Sequence, residues 1–180
     1  MGAQLSRDSQ DAIGASQALP AHGQLTAPDV PSIPWLDPAT AAGVVDIVQS
    51  LAADHPEALA VILFGSVARH EERSLSDPKP SDIDLLLIID PSALDPTAKL
   101  LTNEQDLALT RTVGEAEYRH RAPREINTLF MNRDLARWDE LFIENVARDG
   151  ILLWARGPLP APLASVADRD ITALLAAAPH

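Results

Sequence analysis

Two aspartates separated by one residue carry the clearest chemical signal in the chain. Asp82 and Asp84 open an apolar run, Leu85 to Ile89, that is typical of a buried strand. Because successive side chains of a strand alternate between its two faces, both carboxylates project on the same side. Like charges this close repel each other unless a proton, a cation or hydrogen-bond donors compensate them. Mg²⁺ is a simple compensator, since it prefers oxygen ligands and is commonly held by one or two carboxylates together with substrate phosphates.

A second signal, Gly65-Ser66, directly follows another apolar run, Leu59 to Phe64. Glycine at the end of a buried strand lets the backbone approach a ligand closely, and a helix starting from Ser66 would direct its free amide groups at an anion. Ser66 adds a hydroxyl, and Arg69, about one helical turn later, adds a guanidinium suited to phosphate oxygens. We therefore predict a phosphate-binding turn beside a metal site at one end of a sheet.

Together these residues resemble the signature of the polymerase-beta-type nucleotidyltransferase superfamily, and especially its minimal nucleotidyltransferases. The similarity covers roughly residues 35–156 and rests on a strand, Gly-Ser, a helix with Ala-Arg, and then Ser-Asp-Ile-Asp-Leu-Leu. The resemblance implies that four residues bind a nucleoside triphosphate and that two hold Mg²⁺. The nucleotide-binding residues would be Gly65, Ser66, Arg69 and Ser81, and the metal ligands would be Asp82 and Asp84.

The family carries a third carboxylate on a later strand, which the resemblance implies to be antiparallel. We predict this strand over Glu125 to Met131, where Glu125 and Asn127 share one face by alternation. The third acid of the family aligns best with Asn127, whose amide cannot accept a proton from an attacking group. Glu125 is the only carboxylate on that face, so we predict it as the general base beside Asp82 and Asp84. The choice between Glu125 and Asn127 for the third acidic position stays open.

The chain departs from the family pattern between these motifs. His70 stands where the familiar Ala-Arg-Gly-Glu pattern has glycine, and a Pro- and Ser-rich loop, residues 74–80, lengthens the connection to Asp82. Neither change involves a predicted ligand. We therefore interpret both as traits of a subfamily.

Composition limits the function further. With 180 residues the chain is long enough for one domain with a real core. Its 14 Lys and Arg against 26 Asp and Glu give a net charge of −12, which disfavours nucleic acid and suits a nucleotide delivered with Mg²⁺ or a basic protein partner. There is no cysteine for a disulfide or a thiolate zinc site. No apolar run reaches the length of a membrane span and no signal-peptide core is visible, so we expect a cytoplasmic protein.

The predicted elements alternate between helix and strand. We expect an α/β (α+β) fold with a small mixed sheet and flanking helices, in a domain covering residues 35–157. Residues 1–34, rich in Ala, Gln, Ser and Pro, are predicted to be a mobile tail. Residues 158–180 are predicted to be a Pro- and Ala-rich tail with a short helix.

The resemblance implies Mg²⁺-dependent transfer of a nucleoside monophosphate, AMP from ATP, onto a hydroxyl with release of pyrophosphate. It also implies a toxin–antitoxin pair, in which the acceptor is a helical toxin. Three alternatives stay open: an aminoglycoside-type nucleotidyltransferase, a transferase acting on tRNA, and a catalytically silent binding protein. Aminoglycoside-type enzymes usually have an extra domain. A transferase acting on tRNA should have a basic surface. The silent binder is favoured only if Glu125 lies outside the site.

Overall fold

Four strands form one mixed sheet at the centre of the computed structural model, which describes residues 29–134, 138–169 and 171. The strands are β1 (Ala58–Phe64), β2 (Ile83–Ile89), β3 (Ile126–Asn132) and β4 (Ile151–Ala155), in the order β3-β2-β1-β4. β1 is antiparallel to both β2 and β4, whereas β2 and β3 are parallel. The predicted fold class, a small mixed sheet flanked by helices, is confirmed. The antiparallel orientation expected for the third strand is wrong.

In the described part of the chain, four α-helices accompany this sheet: α1 (Pro38–Asp54), α2 (Gly65–Ala68), α3 (Asn103–Arg119) and α4 (Glu140–Asp149). α1 begins where the sequence predicts it, because the Asp37 carboxylate accepts a hydrogen bond from the Thr40 N–H at 2.9 Å and a proline follows the cap. α3 begins with a capping box between Thr102 and Gln105. Parallel neighbouring strands require a crossover connection, and α3 lies in the one between β2 and β3, which explains the parallel orientation of β3.

Each face of the sheet is covered by a different layer. Leu85 and Leu87 of β2 belong to the core cluster that includes residues of α1 and α3, whereas Leu86 and Ile88 belong to the cluster that includes residues of α4. Since side chains alternate along a strand, Asp84 projects on the same side as Leu86 and Ile88. The Asp84 carboxylate therefore lies on the face of the sheet that α4 covers, next to the apolar residues of that face.

The packed part of the chain continues beyond residue 157. A 3₁₀ segment, Ala161–Val166, packs on α4, and its Leu163 and Val166 side chains are buried. Residues 1–28, most of the predicted N-terminal tail, and residues 172–180, the end of the predicted C-terminal tail, lie outside the described residues. In the part of the chain that the structure does describe, no helix combines the length and the apolar character that crossing a membrane requires.

Candidate active site

The ends of three strands bring the predicted site residues to one edge of the sheet. Phe64, the last residue of β1, pairs with Asp84, and Asp84 pairs with Asn127 on β3. Because β1 runs against β2 while β3 runs with it, the end of β1 meets the beginnings of β2 and β3. Gly65, Asp84 and Asn127 therefore lie next to one another, although they are far apart in the sequence.

Gly65 packs directly against one of the two aspartates. Its backbone has a φ of +78°, and a Cβ built on it would lie 2.4 Å from Oδ2 of Asp84. Both observations exclude a side chain at this position, since L-residues rarely adopt this φ and the carboxylate already occupies the space. Glycine here keeps the backbone of the turn in contact with the carboxylate.

We predict that Gly65→Ala lowers the free energy of unfolding by about 1–3 kcal/mol, because the methyl group must displace Asp84 and the backbone must hold a left-handed conformation. Urea unfolding followed by circular dichroism measures this change. The matched control is Gly114→Ala in α3, where a Cβ would have no neighbour within 4 Å. That control should gain up to about 1 kcal/mol from the better helix propensity of alanine. Equal effects of the two substitutions would contradict the proposed contact.

The two aspartates have different surroundings. Burial, together with the charge of Asp82, raises the pKa of Asp84 to about 6. Asp82 is more exposed, and its Oδ2 accepts a hydrogen bond from Nδ2 of Asn127 at 2.8 Å. The structure thus places Asn127, the residue that aligns with the third acid of the family, beside the carboxylate pair.

The raised pKa of Asp84 predicts a pH-dependent stability for the metal-free protein. A carboxyl group with a higher pKa when folded binds more protons than in the unfolded chain, so its contribution to stability falls as the pH rises from about 4 to 6. Asp84→Asn should remove this loss and raise the free energy of unfolding near pH 7 by about 1–2 kcal/mol, allowing for partial solvent screening.

The measurement is the difference between parent and Asp84→Asn unfolding curves, in a chelator, across this pH range. A difference is needed because other carboxyl groups act in the opposite direction. The pKa values of Asp37, Asp46, Asp90 and Asp149 are lowered, so these groups lose stabilising interactions as the pH falls. A difference that does not change with pH would contradict the assignment to Asp84.

The carboxylate pair has the donor set that Mg²⁺ prefers. Burial and the neighbouring charge of Asp82 raise the pKa of Asp84, and the side-chain amide of Asn127 lies within hydrogen-bonding distance of Asp82. Among the residues in the described ranges, no cluster of three or more His, Asp or Glu side chains is suited to a metal ion. A cation held by Asp82 and Asp84 would therefore need water or phosphate oxygens as its further ligands, which is the usual arrangement for Mg²⁺.

Two cavities with no lining residue in common adjoin the pair: Gly65, which contacts Asp84, lines one, and Asp82 lines the other. The first, the Gly65 cavity, has a volume of about 380 Å³ and is bounded by Gly65, Arg69 and α4. Phe64 and Phe142 meet edge to face in its wall, with ring centroids 5.5 Å apart. Arg69 is held at the cavity by an Nε hydrogen bond to Glu71 at 2.7 Å. An apolar wall next to an arginine and a glycine turn suits a ligand with both a ring and an anionic group.

The second cavity, the basic basin, has a volume of about 460 Å³ and is lined by Asp82 and Glu125 together with several cations. The cations are Arg73, Lys79, Arg121 and Arg124. Glu125 is exposed, immediately precedes β3, and shares this basin with Asp82. The predicted base thus borders the same open space as one of the two predicted metal ligands.

Ser81 is buried and forms hydrogen bonds within the protein. Its side chain is buried, its hydroxyl accepts a hydrogen bond from the Arg73 N–H at 2.8 Å, and its carbonyl accepts one from Nη1 of Arg124 at 2.7 Å. These bonds connect the long loop to the start of β2. A contact between Ser81 and a nucleotide stays a prediction.

The helix expected after Gly65-Ser66 is only four residues long and ends at Ala68. Two residues later His70 adopts a φ of +56°, a left-handed conformation that stops a helix. Glycine adopts this conformation without strain, which agrees with the glycine that the resembled sequence motif has at the position of His70. Here the imidazole stacks on Trp35, with ring centroids 5.2 Å apart, which supports the unusual conformation.

The chain has distant similarity to solved structures. No protein-family model matches it, and no curated protein matches its sequence. It is similar to a chain of a toxin–antitoxin complex with AMP-PNP, at 16% identity over 73% of this chain and 85% of that one, with a TM-score of 0.40. A chain from the complex of a tri-AMPylated HEPN toxin with an MNT antitoxin from Shewanella oneidensis has 17% identity, coverage of 64% and 72%, and a TM-score of 0.37.

A candidate nucleotidyltransferase from Sulfolobus solfataricus has 16% identity to this chain, coverage of 68% and 92%, and a TM-score of 0.38. One of these structures thus contains an MNT antitoxin, and another is a candidate nucleotidyltransferase. At identities and scores this low, the similarity transfers no activity to the chain. Its function has to follow from its own residues.

Sequence reasoning missed a carboxylate at the same edge of the sheet. Asp149, the last residue of α4, accepts two hydrogen bonds from Arg148 and lies 3.7 Å from Nη1 of Arg69. The hydrogen bonds from Arg148 lower the pKa of Asp149. A usable signal was its position in the sequence, separated by one residue from β4, whose first residue, Ile151, pairs with Leu63 near the end of β1. Asp149 therefore helps to position Arg69 in the Gly65 cavity.

Proposed function

We propose that this protein is a Mg²⁺-dependent nucleotidyltransferase that moves AMP from ATP onto a hydroxyl of a protein partner. The observation that carries the proposal is the contact between the Gly65 turn and Asp84, beside Asp82, where two cavities adjoin the pair. A glycine turn against a carboxylate pair suits a triphosphate bound together with a cation. A cytoplasmic site of action is part of the proposal.

Gly65 and Arg69, which line the Gly65 cavity, would bind the nucleotide together with the neighbouring Ser66. Gly65 and Ser66 offer backbone amides and a hydroxyl to the β- and γ-phosphates, and Arg69 offers a guanidinium. Asp82 and Asp84 would hold the Mg²⁺. When bound, this ion offsets negative charge on the triphosphate and orients it for in-line attack.

The chemical step is a displacement at the α-phosphorus. The acceptor oxygen forms a bond to the α-phosphorus, the bond to the oxygen that bridges to the β-phosphorus breaks, and pyrophosphate leaves with that electron pair. Glu125 would take the proton of the acceptor hydroxyl, because it borders the basin into which Asp82 also faces. Acceptor and nucleotide would thus approach the carboxylate pair from different cavities.

The partner we propose is a helical toxin, as the resemblance of the sequence to antitoxin-type minimal nucleotidyltransferases implies. A second candidate function is a binding protein of the same fold without chemistry. One observation favours it: the residue next to Asp82 on β3 is Asn127, an amide, where the family has an acid. In that case the partner would be neutralised by contact alone.

The test combines nucleotide binding with product formation. ATP with Mg²⁺ should raise the melting temperature, since a ligand that binds only the folded state stabilises it by mass action. Pyrophosphate should then be released when the protein encoded by the neighbouring reading frame is added as acceptor. A melting shift without pyrophosphate would support the silent binder, and no shift with any nucleoside triphosphate would overturn the proposed function.

A further inference from the structure

Three of the cations that line the basic basin have no acidic partner among the described residues. The chain carries a net charge of −12, so acids are plentiful. Elsewhere, Arg119 pairs with Asp46, Arg133 with Asp90 and Arg148 with Asp149, in keeping with this excess. Within the described ranges, Arg73, Lys79 and Arg121 form no ion pair, and all three are exposed and line the basin, whereas the unpaired Lys99 and Arg111 lie outside it. Unpaired cations concentrated in a concave site of an acidic protein indicate an anionic ligand.

Local contacts hold the side chain of Arg121, and the backbone at Lys79 and Arg73, in place before any ligand binds. The guanidinium of Arg121 lies over the ring of Tyr118, 4.2 Å from its centroid. Lys79 is placed between two prolines, and its backbone N–H donates to the Asp77 carboxylate at 2.8 Å. The Arg73 N–H is fixed by Ser81. Groups that are already positioned lose less conformational entropy when they bind.

We propose that the basic basin receives an acidic segment of the acceptor protein, next to the hydroxyl that is modified. This inference rests on the proposed function and names its acceptor class. The basin is on the acceptor side of the site, because Asp82 and Glu125 line it whereas Gly65 and Arg69 line the other cavity. Carboxylates of the acceptor bound by Arg73, Lys79 and Arg121 would hold its hydroxyl near Glu125.

An acidic protein segment fits the basin better than a nucleic acid does. A polynucleotide gains its affinity from many phosphate contacts along a basic track. Here the basin offers three unpaired cations within one cavity of about 460 Å³, and the charge of the whole chain would repel a longer strand. One or two carboxylates beside a hydroxyl match the size of the cationic patch.

The first experiment measures binding without nucleotide, by fluorescence anisotropy. Three labelled probes are compared: a short peptide with a central tyrosine flanked by glutamates, the same peptide flanked by glutamines, and a single-stranded RNA of similar length. We expect the glutamate peptide to bind roughly tenfold more tightly than the glutamine peptide at low salt, and this preference to shrink as salt is added. Equal binding of the two peptides, or tighter binding of the RNA, would overturn the proposal.

A matched pair of variants locates the effect. Lys79→Gln/Arg121→Gln removes one lysine and one arginine from the basin, and Lys99→Gln/Arg111→Gln removes the same charges from exposed positions outside both cavities. The basin variant should bind the glutamate peptide roughly three- to tenfold more weakly and keep its affinity for the glutamine peptide. The control variant should bind both as the parent does. Equal losses in the two variants would mean that net charge alone governs binding, which overturns the proposal.

Nucleotide binding separates this inference from the proposed function. The basin variant should keep the rise in melting temperature with ATP and Mg²⁺. Loss of that rise would identify the basin as a site for nucleotide phosphates, against the proposal. If the parent protein neither responds to ATP nor releases pyrophosphate but still prefers the glutamate peptide, the proposed function fails while the acidic-segment site is supported.

Discussion

Replacing Asp84 by asparagine should reduce nucleotidyl transfer by about 10²–10³-fold and leave the protein folded. A metal ion that stabilises charge in the transition state contributes several kcal/mol, and each tenfold change in rate corresponds to about 1.4 kcal/mol. Asp84 is the carboxylate in contact with the Gly65 turn, so its loss removes the group closest to the expected triphosphate. The same substitution removes the repulsion from Asp82 and should make the metal-free fold more stable.

Pyrophosphate release with Mg²⁺ titration measures this effect, together with thermal melting to show that the variant is folded. The matched control is Asp54→Asn, an exposed aspartate at the end of α1 outside both cavities, which should keep parent activity. Full activity of Asp84→Asn with an unchanged Mg²⁺ dependence would exclude the two-aspartate site. A folded, more stable and inactive variant would separate the chemical role of Asp84 from any structural one.

The position of the carboxylate pair could be predicted from sequence because it depends on local patterns. Alternation within β2 decides which face Asp84 shares with Leu86 and Ile88, and a glycine that ends a buried strand marks a close backbone approach. Strand β1 is antiparallel to β2, so Gly65 and Asp84 become neighbours through a single pairing. This part of the site therefore depends on local sequence patterns and on one strand pairing.

The third strand shows where local reasoning ends. Glu125 and Asn127 have the same parity, so alternation cannot decide which of them lies beside the aspartates. The decision depends on the register of β3 against β2, which pairs Asn127 with Asp84. That register is set by the crossover through α3 and by packing on both faces of the sheet. The sequence near Glu125 does not determine it.

The basic basin could not be predicted for a related reason. Its cations come from the loop before β2 and from the loop between α3 and β3, two segments that meet only in the folded chain. Arg124 illustrates this. Its side chain is buried and donates a hydrogen bond to the carbonyl of Ser81, a residue more than forty positions earlier in the sequence. An isolated arginine in a loop gives no sign of such a contact. The net charge of the whole chain pointed away from a local concentration of cations.

The prediction that separates enzyme from silent binder concerns Glu125. Glu125→Gln should slow transfer by about 10²–10⁴-fold, the usual loss when a general base is removed, and leave the melting shift with ATP unchanged. The physical reason is that glutamine keeps the size and polarity of the side chain and cannot accept the acceptor proton. The matched control is Glu115→Gln, an exposed glutamate in α3 that lines neither cavity and should behave as the parent does.

The competing result is that Glu125→Gln transfers AMP at the parent rate. Asn127, whose amide donates to Asp82, would then be the residue of β3 that matters, and the variant Asn127→Asp decides its role. An acid there replaces a hydrogen-bond donor by a third negative charge, so the metal-free protein should become less stable while its affinity for Mg²⁺ rises. A further outcome is that the parent transfers no AMP while Asn127→Asp does. The natural protein would then bind nucleotide and partner without catalysing transfer, because the position that completes the acidic site carries an amide.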